Sequence, residues 1–236
     1  MRAALALPAA LAVGLAVEIE LARRGPKVAG PPPGIDGCVA CPAVMPEPPL
    51  RIVWLGDSTA AGVGASSAAA TLPRQVAARL GRPVELTVLA RSGARIDDVV
   101  ADQLPRVARL RPDLVLVSVG ANDAVHVTRT ADYAERWRRV VPPPDAVLIA
   151  LGIPDMGSPP RVPQPLRAVL GWRARTLNRS GAPRMAQEGR ATYVDIAGET
   201  GPAFRRDPGR YFARDRYHPS DAGYRLWADA VLEQMG

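Results

Sequence analysis

Ser58 stands in Gly56-Asp57-Ser58-Thr59, directly after the short β-rich run 51–55. In α/β proteins, ligands and reacting groups collect at the carboxyl ends of parallel strands, so a hydroxyl at this point is a candidate nucleophile. The other role of a serine there is to cap the next turn or helix. A base separates the two roles, and histidine is the usual one because its unperturbed pKa lies near neutrality. The chain has two histidines, His126 in "GANDAVHV" and His218 in "DRYHPSDAGY". No acid at an orienting spacing accompanies His126, which reads as a surface or packing residue. His218 follows Asp215 by three residues and precedes Pro219 and Ser220, a turn and a helix cap. One turn of chain can bring that carboxylate beside the imidazole, fixing its tautomer and stabilising the imidazolium formed when a serine gives up its proton.

Acyl transfer also needs donors aimed at a developing oxyanion. Gly93, in "ARSGAR" after the second strand-like run, lets a backbone N–H approach a ligand with no Cβ in the way. Asn122, in "VGAND" after the third, can turn its amide into the same cleft. Singly, each is an ordinary loop residue.

"GDST" at 56–59, Gly93, "GAND" at 120–123 and "DRYH" at 215–218 resemble, in order, the blocks of the SGNH (GDSL-type) hydrolases. The resemblance covers 51–236, and the ordered set gives it its specificity. It implies a flavodoxin-like five-stranded parallel sheet, with Ser58 as nucleophile, His218 as general base and acid, and Asp215 as its orienting acid. The implied oxyanion hole is built from the Ser58 and Gly93 backbone N–H groups and the Asn122 side chain. Asp57 beside the nucleophile is expected in that family, and its physical task is to position the loop. Thr59 replaces the leucine of the family signature, and Ser58 is not in the G-x-S-x-G elbow of the α/β-hydrolases. The resemblance implies a serine esterase with no cofactor and no metal, acting on short- or medium-chain acyl esters or lysophospholipid-like lipids. A carbohydrate O-acetylesterase and a surface-anchored binding module on the same fold are the alternatives. A redox module built on the two cysteines is a further one.

The elements that must position these residues follow from hydrophobic patterning. Strand-like runs at 51–55, 84–89, 114–119, 146–151 and 192–196 alternate with helical patterns at 72–80, 96–110, 131–140, 165–178 and 220–234. Such alternation predicts an α/β fold, a three-layer α/β/α sandwich around a parallel sheet. The proline-rich apolar stretch 152–172 follows the fourth strand and is either a wall of the acyl site or a crossover with a packing helix.

At 236 residues, 47% hydrophobic and 22% charged, the chain has the size and make-up of one globular catalytic domain with an extension. A net charge of +7 raises the question of nucleic acid. Lys27 is the only lysine, the arginines are scattered, aromatics are few and no recognition motif occurs, so no nucleic-acid partner is expected. Residues 3–17 form an apolar run after Arg2, which predicts a signal peptide or membrane anchor over 1–24 and an exported or membrane-anchored protein. A soluble amphipathic helix is the competing reading of that run. Residues 25–49 are Pro/Gly-rich and read as a linker, and the hydrolase domain is expected over 50–236. Cys38 and Cys41, the only cysteines, have no second pair to complete a zinc site, so a local disulfide is expected on export.

Overall fold

The computed structural model describes residues 24–43 and 47–235, so the expected signal or anchor lies outside the described residues, Arg24 apart. Among the described residues, six strands form one sheet: β1 Gly37–Val39, β2 Leu50–Gly56, β3 Val84–Val88, β4 Leu114–Ser118, β5 Val147–Leu151 and β6 Thr192–Val194, in the spatial order β1-β3-β2-β4-β5-β6. The last five are parallel, and their order is the flavodoxin-like one.

Side-chain alternation along the central strands divides the core into two layers. Ile52, Trp54, Leu116 and Leu151 pack with Tyr224 and Trp227 of the C-terminal helix Asp221–Glu233 and with Leu72 and Val76 of the helix Leu72–Ala77. Val53, Leu55, Val115 and Val117 pack on the opposite side against Val107, Trp137 and Leu177, from the helices Leu104–Leu110, Thr130–Arg138 and Leu166–Ser180. Because both faces are covered, these strands read as nearly continuous apolar runs. The order also fixes the site. β2 lies between β3 and β4, a topological switch point, so the loops leaving the three strands open into one crevice. Ser58 and Gly93 stand in the first two of these loops, and Asn122 on the short helix that follows β4.

To the five expected parallel strands the structure adds a sixth. β1 comes from the Pro/Gly-rich segment and pairs antiparallel with β3 along the sheet edge. Ile35 and Val39 are buried, and Asp36 accepts the backbone N–H of Val88 at 2.6 Å. Arg74 completes the attachment by donating to the carbonyls of Ile35, Gly34, Asp36 and Cys38 at 2.9, 2.8, 3.1 and 3.4 Å. Cys38 and Cys41 form a disulfide, with Cα atoms 5.9 Å apart. A three-residue edge strand held by the side chains of Arg74 and Asp36 has no periodic signature, which is why it reads as linker.

The long helical pattern at 96–110 is also modified. It runs from Ile96–Asp98 through a wider π turn, Val99–Gln103, into Leu104–Leu110. Short helices at Ala121–Val125, Ala182–Gln187, Ile196–Arg206 and Pro208–Tyr211 were not expected from periodicity. Gly198, Gly201 and Pro202 argue against a helix at 196–206, but burial of Ile196, Thr200 and Phe204 at four-residue intervals holds one there.

Candidate active site

β2 ends at Gly56, whose backbone is read on both sides. Its N–H donates to Gln103 Oε1 at 2.8 Å, and Gln103 Nε2 donates back to its carbonyl at 2.9 Å. Gly56 has φ +142°, and a Cβ there would run into the Ser118 carbonyl of β4. Glycine therefore lets the chain turn out of the sheet while still packed on its neighbour. Asp57 N–H donates to that same Ser118 carbonyl at 3.1 Å. The Asp57 side chain is buried and folds forward, accepting from Thr59 N–H at 2.9 Å and Thr59 Oγ1 at 2.8 Å. Burial pushes its carboxyl above the ordinary aspartate value despite those bonds. Thr59 thus takes up Asp57, and the two lock the turn that presents Ser58.

The Ser58 hydroxyl lies 3.1 Å from His218 Nε2, and His218 Nδ1 lies 2.6 Å from Asp215 Oδ2. Ser58 is thus brought into one relay with a pair 157 and 160 residues further along the chain. A tight hairpin holds the histidine: Ala213 N–H donates to the His218 carbonyl at 2.8 Å, and Ser220 N–H to the Tyr211 carbonyl at 2.9 Å. Arg216, at φ +58°, makes the turn. Asp215 Oδ1 accepts the N–H groups of Tyr217 and His218 at 3.0 Å each. Burial raises the Asp215 carboxyl, but the imidazole and these two N–H donors outweigh it, and the net shift is downward. The carboxylate is therefore held charged against the ring. Ser220 caps the helix behind it by accepting from Gly223 N–H at 3.2 Å.

Facing Ser58, Gly93 has φ +84° and open space where a Cβ would stand. Among the described residues, neither Ser58 N–H nor Gly93 N–H has an acceptor in the protein. Asn122 Nδ2 donates to the Ala94 carbonyl at 3.0 Å, which leaves its second amide hydrogen for the crevice. Ser58, Thr59, Gly93, Asn122 and His218 line one cavity of about 230 Å³, which Asp57 and Asp215 do not reach. Its far wall is apolar, with Met156, Phe204, Phe212 and Trp227. Pro154, Met156 and Pro159 come from the stretch expected to be wall or crossover, and it serves as both: 154–159 lines the cavity and Leu166–Ser180 packs behind. His126 is exposed and outside the cavity, its Nδ1 2.9 Å from the Asn122 carbonyl.

An uncharged hydroxyl, an imidazole that can take its proton, an ionised partner for that imidazole and three convergent donors are the requirements of nucleophilic acyl transfer. Residues 54–226 match the family model described as the GDSL-like Lipase/Acylhydrolase family. The chain belongs to that family. A GDSL-like esterase of Mycobacterium tuberculosis is 31% identical over 195 residues, which are 78% of this chain and 60% of that protein. The chain therefore spans less than two thirds of that relative's length. Among solved structures, phospholipase A1 from Streptomyces albidoflavus matches with a TM-score of 0.63 and 21% identity, covering 79% of this chain and all of the other. A catalytic mutant of an acetylxylan esterase from Geobacillus stearothermophilus matches with a TM-score of 0.57 and 21% identity, over 79% and 94% of the two chains. These two structures show a shared GDSL-type fold.

Within the GDSL-like fold, the wall residues Thr200, Gly201 and Phe204 escape sequence reasoning because they lie on a helix that periodicity did not reveal, and Phe212 because it stands just past a short helix, in an isolated bridge to Pro219. The one signal available was the spacing of Ile196, Thr200 and Phe204.

Proposed function

We propose that the chain is a serine carboxylesterase that works through an acyl-enzyme, on short- or medium-chain acyl esters or lysophospholipid-like lipids. The observation that carries this reading is the relay of Asp215, His218 and Ser58 at 2.6 and 3.1 Å beside an apolar cavity. Ser58 Oγ attacks the acyl carbonyl as its proton passes to His218 Nε2. The oxyanion is received by the Ser58 and Gly93 N–H groups and the Asn122 amide. The ester C–O bond breaks and the alcohol leaves with the proton from His218. Water, deprotonated by the same ring, then attacks the acyl-enzyme and releases the acid, and Ser58 regains its proton. Asp57 and Thr59 hold the loop in register throughout. The apolar walls favour an acyl chain over a sugar in the cavity. The apolar run 3–17 supports export or anchoring, with membrane association through the N-terminus.

The test is hydrolysis of p-nitrophenyl acetate, butyrate and octanoate by the full chain and by Ser58→Ala. Ser58-dependent turnover rising from acetate toward the longer esters is expected. A preference confined to acetate would move the reading to O-acetyl sugars, and equal turnover by Ser58→Ala would end it.

A further inference from the structure

Six large hydrophobic side chains are exposed among the described residues, and four of them lie on two adjoining segments: Val125 and Val127 at the end of the helix that carries Asn122 and in the turn after it, Val169 and Trp172 on the helix Leu166–Ser180. Isolated surface hydrophobics are ordinary, whereas a group of them at the rim of a site points to a binding surface. The helix Ala121–Val125 packs on the helix Leu166–Ser180, and Arg173 Nη2 donates to the Thr128 carbonyl at 2.5 Å, which brings 125–128 alongside the Val169 face. Gly171, next to Trp172, packs backbone to backbone on Gly157 in the loop that walls the cavity. Ala121 and Asn122, on the same short helix as Val125, line the cavity, so the patch begins one helical turn from its rim.

Its charge is one-sided. Leu166–Ser180 carries Arg167, Arg173, Arg175 and Arg179 and no acid. On the exposed arc, Val169 and Trp172 lie between Arg173 on one side and Arg175 and Arg179 on the other. Among the described residues none of these arginines, nor the exposed Arg129, forms an ion pair with a carboxylate. An exposed indole flanked by aliphatic side chains and unpaired arginines matches the boundary between lipid headgroups and acyl chains. Arg161, just beyond Pro159 of the wall, donates to the carbonyls of Gly25 and Pro26.

The geometry points to a membrane-docking face: Val125, Val127, Val169 and Trp172, with the surrounding arginines, seat the mouth of the cavity on a bilayer surface bearing anionic headgroups. This rests on the esterase reading for its catalytic consequence, delivery of a lipid ester directly into the cavity, but the contact itself is independent of turnover.

Trp172 supplies the readout. It is 57% exposed, whereas Trp54, Trp137 and Trp227 are at most 4% exposed, and residues 1–23 contain no tryptophan. Full-length protein is mixed with vesicles of phosphatidylcholine alone or with a quarter phosphatidylglycerol. A blue shift of tryptophan emission on the anionic vesicles, absent in W172F, is expected. R175Q/R179Q should weaken partitioning roughly fivefold per arginine. W172S and V127S should slow hydrolysis of a vesicle-borne ester about tenfold or more while leaving p-nitrophenyl butyrate hydrolysis, and hence the fold, unchanged. Vesicle binding with no shift in Trp172 emission, a shift equal on neutral vesicles, or full vesicle-borne activity in W172S and V127S would overturn the proposal. Failure to hydrolyse p-nitrophenyl butyrate would instead strike the esterase reading, with the emission experiment still deciding the docking face.

Discussion

Asp123 accepts the backbone N–H of Ile96 on Oδ2 at 3.0 Å, while Oδ1 meets no hydrogen-bond partner among the described residues. With the neighbouring Asn122–Ala94 bond, this fastens the Gly93 loop to the helix that carries Asn122. The two sides of the oxyanion crevice are thus held by consecutive residues.

Burial lifts the Asp123 carboxyl to about 6, against the ordinary 3.8, with Ile96 N–H offsetting part of the effect. Between those values the folded protein retains a proton that the unfolded chain has lost, so this group lowers stability as pH rises through that window. The neutral, near-isosteric Asp123→Asn should therefore be more stable than the wild type at about pH 7.5, on the order of 1–3 kcal/mol, and equal to it near pH 4. Denaturant unfolding at the two pH values checks this, and equal stabilities at both would contradict it. Asp123→Ala, which strands Ile96 N–H, should be destabilised at both.

Asn122→Ala removes one oxyanion donor and its bond to Ala94. The expected loss is about 10²- to 10³-fold in kcat, with a stability cost of about 1 kcal/mol. Steady-state kinetics on p-nitrophenyl butyrate beside a thermal melt separates the two effects. Full kcat in a folded variant would remove Asn122 from the oxyanion hole.

Asp215→Asn keeps the shape of the hairpin but loses the charge facing His218 Nδ1. A fall in kcat on the order of 10⁴-fold is expected. The depressed folded-state value of Asp215 contributes stability that is present above the unfolded value of 3.8 and lost as pH falls through the lower folded one. The stability gap between wild type and Asp215→Asn should accordingly be full at neutral pH and close in strong acid. A gap independent of pH, measured by chemical denaturation, would show that the carboxylate adds nothing to the fold through its charge.

Arg74→Ala leaves the carbonyls of 34–38 without their shared donor, and the loss is expected to be about 1–3 kcal/mol. Trypsin should then cut after Lys27 or Arg24 faster than in the wild type, while ester hydrolysis persists. The double variant Cys38→Ser/Cys41→Ser should also retain hydrolysis, since the disulfide lies at the sheet edge away from the relay. Loss of hydrolysis in that variant would restore a redox role for the pair.

The site was legible in the sequence because its residues stand at strand ends, where alternation of strand and helix is easiest to follow, and because Asp215 and His218 are close in the chain. The five parallel strands were legible for the same reason. β1 was not, since its pairing depends on Arg74 and Asp36, neither of which reveals its partner locally. The helix at 196–206 was hidden by Pro202, whose cost is met by tertiary burial of Phe204 and Thr200. The edge strand also moves the start of the folded unit back from Leu50 to about Gly34.

Gln103 occupies what the spacing of Ile96, Val99 and Val107 marks as an interior position, and the π turn swings its amide onto Gly56. That amide imitates a neighbouring strand, giving and receiving one hydrogen bond at the residue from which the serine loop departs. Glutamate offers the acceptor without the donor, asparagine falls one methylene short, and methionine matches the length with neither function. In a saturation library selected for hydrolysis, position 103 should tolerate glutamine almost alone, a genetic signature of catalysis at a side chain that never touches substrate.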